Sequence, residues 1–199
     1  VDFDREVKRC WDHSGWDYRQ VLHTSADKIH VVGQWSRYTV DHQKMLTNPV
    51  VYIVTCVDGH WGIQSRFSAD YAGDEDTSGV ENRAFKLIEL FCLHVANGNA
   101  EACASLLNYP HFSVHAGRLE TTESAGAFTL PGGPIAIDAM QSLQTGRRSI
   151  NVGMDVSMGG SHHYQAVVNI TERGGHLGIH AWSLLDPASV TAAASAADP

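Results

Sequence analysis

Apolar positions recur at two different periods along the chain, and the change of period divides it. From about residue 16 to residue 67 they alternate every second residue, the repeat of a strand with two unlike faces. Lys28–Val40 is the clearest case: Ile29, Val31, Gly33, Trp35, Arg37 and Thr39 share one side, His30, Val32, Gln34, Ser36 and Tyr38 the other. Trp16–His23 predicts a strand before it, Asp41–Lys44 a polar turn after it, and residues 51–67 a hairpin folded about Asp58–Gly59. A short helical pattern, Phe3, Val7 and Cys10, precedes them. From Glu81 the spacing becomes helical, with Ala84, Leu87, Ile88, Phe91 and Val95 on one stripe. Gly98 stops that helix, and Asn99 is placed to cap a second, Ala100–Leu107, by accepting from an orphan amide. Asn108–His111 ends the second helix, since Pro110 has no amide hydrogen to continue it. Phe112–Ala116 alternates as a strand. Pro134 opens a predicted third helix carrying Ile137, Met140 and Leu143 and ending at Gly146. Ser149–Met158, His162–Thr171 and a closing strand complete the pattern.

The predicted hairpin occurs twice. Residues 51–70 align without a gap to residues 116 positions later, with Val51/Val167, Thr55/Thr171, Gly59/Gly175, His60/His176, Gly62/Gly178, Ile63/Ile179 and Asp70/Asp186 identical. Such self-similarity predicts two related units: a partial, sheet-rich unit over 1–70, an acidic linker over 71–80, a helix-plus-sheet unit over 81–186, and a flexible tail over 187–199. The fold class expected is α+β, a curved antiparallel sheet packed on helices. The first unit lacks counterparts of the helices at 81–107, so its apolar face needs a cover, either the second unit or another chain. Strict alternation puts Trp61, Ile63, Ser65 and Phe67 on the core side of the first closing strand and Gln64 and Arg66 outside. In the second it puts Leu177, Ile179 and Ala181 inside, His180 and Trp182 outside.

Composition narrows the function classes. A hydrophobic fraction of 43% over 199 residues suffices for a packed core. A formal charge of −8 argues against a phosphate-backbone track, so no nucleic-acid partner is expected. No apolar run reaches the roughly 20 residues of a spanning helix, and the residues from Val1 onward do not read as a charged-then-apolar leader. A cytoplasmic location without membrane contact is the expectation. Cys10, Cys56, Cys92 and Cys103 form no Cys-x-x-Cys pair and read as free thiols. Of the 12 histidines, His111 and His115 share a strand face roughly 13 Å apart, and His162 and His163 point oppositely. Neither arrangement makes a metal site, and no cofactor is expected.

The element order in 81–186, the phrase Leu107–His111 after the second helix and the closing Gly-His-x-Gly-Ile strand resemble the nuclear transport factor 2-like superfamily. That group includes ketosteroid isomerases, scytalone dehydratase and small polyketide cyclases. Trp11–Asp17, Ala26–His30, Ser36–Tyr38 and Tyr52–Arg66 resemble a bacterial branch of it. The resemblance implies a cone-shaped pocket between the concave sheet face and the helices, with the outer sheet face used for pairing. It implies a small-molecule-binding protein for an apolar ligand, of the cofactor-free isomerase, dehydratase or cyclase kind. The alternative is a non-catalytic ligand-binding or assembly module. Candidate acid–base residues are Asp138, Asp155, His163, Tyr109 and His111, with Trp61, Ile63 and Phe91 as binding residues. Tyr109 and His111 equally suit packing where the helix ends, Asp138 an exposed helix face, and Asp155 and His163 a polar sheet surface. Gln64, Arg66, His180 and Trp182 are expected at a homo-oligomeric sheet interface.

Overall fold

The computed structural model describes residues 7, 8, 10–160 and 162–186. The early helical pattern therefore falls largely outside the described residues, and the expected tail wholly so. Four strands, β1 (His13–Thr24), β2 (Lys28–Tyr38), β3 (Lys44–Val57) and β4 (His60–Ser68), form an antiparallel meander in sequence order, sheet I. Sheet II has six strands, β5 (Leu107–His115), β6 (Arg118–Thr122), β7 (Ile135–Thr145), β8 (Ser149–Met158), β9 (His162–Arg173) and β10 (His176–Leu185). Their order is β6-β5-β10-β9-β8-β7, antiparallel except where β5 runs parallel to β10. Two helices, α1 (Ser78–Ala96) and α2 (Ala100–Ser105), lie in sequence between the sheets. Strand thus dominates, with few helices.

The local signals at the helix ends act as the sequence predicts. Gly98 has φ +67, a left-handed conformation that glycine adopts at no steric cost. The Asn99 side chain accepts from the Ala102 amide at 3.0 Å. The third helix does not form: residues 135–145 are strand β7. Its helix-like spacing comes from two β-bulges, between Ile137 and Ala139 and between Ser142 and Gln144. Each extra residue turns a step of two into a step of three. Ile137 and Met140 both reach the core under α1, whereas Leu143 packs with the second cluster, between the sheets.

Bulges also overturn the facing expected for both closing strands. In β4 the register slips between Ile53 and Val54, which oppose Ser65 and Ile63 and leave Gln64 as the extra residue. In β10 it slips between Ile179 and Ala181, at His180. One inserted residue exchanges the two faces of everything beyond it. Phe67 consequently points into the molecule, while Trp61 (48% exposed) and Ile63 (64%) stand on the solvent side rather than in a core. In β10, Ile179, Trp182 and Leu184 face the helices, and Ala181 and Ser183 face sheet I. The two hairpins share their register throughout. Val54↔Ile63 and Ile53↔Ser65 in one correspond to Ile170↔Ile179 and Asn169↔Ala181 in the other, and both turn through two residues of positive φ, Asp58–Gly59 and Gly174–Gly175.

Sheet II carries α1 on one face and sheet I on the other. Under the helix, Ala84, Ile88, Phe91 and Val95 pack against Val152, Met154, Val168 and Ile179. On the opposite face, Val32, Val51, Ile53 and Phe67 of sheet I meet Val114, Val167 and Ala181 of sheet II. Sheet II thus covers one face of sheet I. The other face stays open: Trp16, Val21, Trp61 and Ile63 are all exposed there, aligned by direct pairing with Trp35, Val31, Cys56 and Val54. The segment joining the units is anchored at its start. Asp70 accepts from the amides of Arg147 (3.0 Å) and Arg148 (3.2 Å) and from the Ser149 hydroxyl. Gly146 is required beside it, because a Cβ there would run into the Asp70 carbonyl and carboxylate. Among the described residues no helix is long and apolar enough to cross a membrane.

Candidate functional site

A cavity of about 390 Å3 opens between α1, the segment at 128–132 and the helix-side face of sheet II. Its apolar wall contains Ile88, Phe91, Phe128, Met154, Val168 and Trp182. Phe91 contacts Trp182 with ring centroids 5.5 Å apart and Phe128 at 6.3 Å, so three aromatic rings bound one side. The polar groups come chiefly from two strands. β5 contributes His111, Ser113 and His115, successive residues on one face, and β6 contributes Glu120 and Thr122. Period-two geometry explains the β5 set, because Phe112 and Val114 between them point to the sheet interface.

Two imidazoles sit in unlike settings along that stripe. His115 Nε2 donates to Glu120 at 3.1 Å, and Glu120 also pairs with Arg118 at 2.7 Å; His115 and Glu120 are both about half exposed. His111 is 1% exposed, with its ring edge-on to Trp182 at 4.3 Å. Its Nδ1 lies 3.3 Å from the Ile179 carbonyl, and its Nε2 has no hydrogen-bond partner among the described residues. Burial pushes the His111 pKa down to about 4, against a smaller upward pull from the Ile179 carbonyl. The ring is therefore neutral at physiological pH.

Of the acid–base candidates, only His111 lines the cavity. Tyr109 donates its hydroxyl to the Ala104 carbonyl at 2.8 Å and so ties the end of α2 to β5, the packing role. Asp138, Asp155 and His163 are all exposed. Asp138 and His163 do meet, through Ser157, which donates to Asp138 at 2.5 Å and lies 3.0 Å from His163 Nδ1. That cluster is open to water and away from the cavity lining, so the dry setting a tuned acid or base requires is missing. Of the binding candidates, Phe91 lines the cavity and Trp61 and Ile63 do not. Trp182, expected on an outer face, lines it instead. His180 packs its ring on Phe112 at 5.2 Å, and Gln64 accepts from the Thr55 hydroxyl at 2.9 Å.

Ser113, Glu120 and Thr122 are the residues that sequence reasoning missed, and it places His115 beside His111 on one strand face only as a rejected metal pair. The signal was present: Ala116–Gly117 is a turn, Gly117 has φ +69, and Arg118–Thr122 returns as a strand with Ser113 opposite Glu120 and His111 opposite Thr122. Among the described residues no group of three or more His, Cys, Asp or Glu could hold a metal ion. Cys92 and Cys103 are buried free thiols, and burial pushes the Cys92 pKa up to about 11.

No family model and no curated protein matches the chain. Solved structures similar to it include a nuclear transport factor 2-like protein of unknown function from Pseudomonas putida KT2440. It is 12% identical, covers 55% of this chain and 88% of its own, and has a TM-score of 0.45. A candidate scytalone dehydratase from Novosphingobium aromaticivorans DSM 12444 is 16% identical over 55% of this chain and 85% of its own, at TM-score 0.45. A further nuclear transport factor 2-like protein of unknown function, from Silicibacter pomeroyi DSS-3, is 12% identical over 56% and 98%, at TM-score 0.40. At such identities no residue role passes from one protein to another, and the site is argued from its own side chains.

Proposed function

We propose that the protein binds an apolar, oxygen-bearing small molecule in the cavity between α1 and sheet II. The observation that carries this reading is the pairing of an aromatic wall, Phe91, Phe128 and Trp182, with one polar stripe, His111, Ser113 and His115. Small-molecule sites are mostly apolar with a few placed polar groups, and this volume falls within their range of roughly 300–1,000 Å3. His115, oriented by Glu120, is the group placed to move a proton on the bound molecule. Acid–base work of the isomerase, dehydratase or cyclase kind needs no cofactor beyond such a pair. The test is calorimetric titration with 2-methoxynaphthalene, an apolar ring probe. Saturable binding at one site is expected, weakened at least tenfold in Ala166→Phe, which fills the cavity from β9. Equal binding by both proteins would place the probe elsewhere and remove the reading.

A second reading, self-association, is favoured by the open face of sheet I, where Trp16, Val21, Trp61 and Ile63 stand exposed. The corresponding face of sheet II is the one that α1 covers. A second copy of this chain is the proposed occupant, seated on that face with Arg66 at its rim. Sedimentation equilibrium at micromolar protein should then give a dimer that Ile63→Glu converts to monomer. A wild-type monomer at those concentrations would end it.

A further inference from the structure

We propose that the cavity selects ligands carrying a hydroxyl, phenol or enol O–H, and that His111 Nε2 accepts the hydrogen bond from it. The inference rests on the cavity-binding reading above and adds the polarity of the ligand. It begins at the other nitrogen of the ring. Nδ1 faces the Ile179 carbonyl at 3.3 Å, and a carbonyl oxygen can only accept, so Nδ1 carries the proton. In a neutral imidazole the remaining nitrogen is then a bare acceptor. Turning the ring over would put carbon against the Ile179 carbonyl and lose that bond, so the assignment is held by the backbone of β10.

Nε2 has no partner among the described residues although His111 is 1% exposed. A buried acceptor without a partner is destabilising, and native interiors hold few of them. Here the unpaired atom belongs to a residue of the cavity wall but is itself covered, so a ligand donor completes it only where the wall at His111 yields to the ligand. The ring's contact with Trp182, centroids 4.3 Å apart, places the imidazole beside an aromatic surface. The ligand that satisfies both is a flat apolar ring bearing a hydroxyl. This reverses the role the sequence suggests for His111. A neutral ring with its proton committed to Ile179 does not donate to an oxyanion, so carboxylates and enolates are disfavoured there.

The experiment compares 2-naphthol with 2-methoxynaphthalene, which keeps the ring and the oxygen but lacks the donor, by calorimetry at pH 7. Wild-type protein should bind 2-naphthol about tenfold more tightly, the size of one buried hydrogen bond. His111→Phe should erase that preference, read as the ratio of the two probes' affinities within the variant whatever its absolute affinity for either. Equal binding of the two probes by wild type, or a naphthol preference that survives in His111→Phe, overturns the inference and leaves the cavity reading standing. Binding of neither probe removes both. Nitrogen NMR of the wild-type ring supplies a check independent of any variant: Nε2 in the unprotonated range supports the acceptor role, and a proton on Nε2 overturns it.

Discussion

Lowering the pH from 7 to 5 is expected to destabilise the protein by about 4 kcal/mol through His30 and His111 alone. His30 is fully buried between the sheets, and its pKa is pushed down to about 3, first by burial and then by the neighbouring His23 and Lys28. That of His111 is pushed down to about 4, chiefly by burial. The unfolded chain titrates near 6.5, so below that pH it binds protons that the folded chain refuses. Stability is complete above pH 6.5 and is lost as the pH falls toward the folded values. Between pH 7 and pH 5 both folded rings stay neutral, so each costs about 2 kcal/mol whatever its folded pKa below 5.

The hydrogen bonds explain why His30 resists the proton. Ser183 donates to the Val114 carbonyl at 3.3 Å and therefore accepts from His30 Nε2 at 3.0 Å. That leaves His30 Nδ1 bare to accept from His23 Nδ1 at 3.0 Å. A second proton on His30 would set two donors against each other, close to the Lys28 ammonium, which donates to the carbonyls of Val114 (2.8 Å) and Leu184 (2.6 Å). Lys28 itself is pushed down to about 8 by burial, so its share of stability grows as the pH rises from 8 toward 10.5. Urea denaturation of wild type and His30→Gln at pH 7 and pH 5 isolates the effect. The variant starts less stable, having lost the chain, but its loss between the two pH values should be about 2 kcal/mol smaller. Parallel pH profiles would show that His30 titrates as in the unfolded chain.

Where sequence reasoning held and where it failed has one physical source. Strand and helix periods located α1, the Asn99 cap, β2, β8 and both hairpins, because each depends on local spacing and local capping. Bulges are set by the partner strand, and the period alone does not tell a bulged strand from a helix or show where two faces exchange. Four of them account for the main errors. The bulge at Gln64 sent Trp61 and Ile63 to solvent, that at His180 brought Trp182 into the cavity, and those at Asp138 and Leu143 made β7 look helical. The candidate site was legible to the extent that it followed one unbroken strand, as His111 and His115 do on β5. Glu120 and Thr122 enter through β6, whose turn at Ala116–Gly117 marks a return but whose short, polar run carries no apolar period of its own. Phe128 enters through a loop beyond a 3-10 turn at Ala125–Ala127, for which no periodic signal exists.

The two hairpins share one register, and the sheets that carry them are joined by a row of side-chain amides. Asn151→Ala is expected to cost roughly 3–5 kcal/mol, more than any single apolar contact between the sheets, because it breaks a row of amides at the middle. Asn169 donates to the Asn151 side chain at 2.8 Å and to the Ser68 carbonyl at 3.3 Å. Asn151 donates to Gln144 at 3.0 Å and to the Phe67 carbonyl at 3.2 Å. Gln144 donates to the carbonyls of Gly33 at 2.6 Å and Val50 at 3.2 Å. The row thus crosses β9, β8 and β7 and satisfies backbone groups of three strands of sheet I.

Asn151 is fully buried, so truncating it removes the partners of the Gln144 oxygen, of one Asn169 amide hydrogen and of the Phe67 carbonyl in this row, without water to replace it. Each orphaned group costs about 1–3 kcal/mol, partly relieved by rearrangement. Asn169→Ala, at the end of the row, orphans fewer groups and should cost about half as much. Equilibrium urea denaturation measures both. If Asn151→Ala costs less than about 1 kcal/mol, the amides do not couple the sheets and apolar packing alone holds them. A large loss with a broadened or split transition would locate the failure between the units, since sheet I keeps its own ladder but loses the backbone bonds that fix it to sheet II. Those bonds hold the outer face of β7, β8 and β9, while Val152, Met154 and Val168 of the same strands support the cavity from the other side. Loss at Asn151 should therefore also weaken ligand binding, which distinguishes a loosened scaffold from a change confined to sheet I.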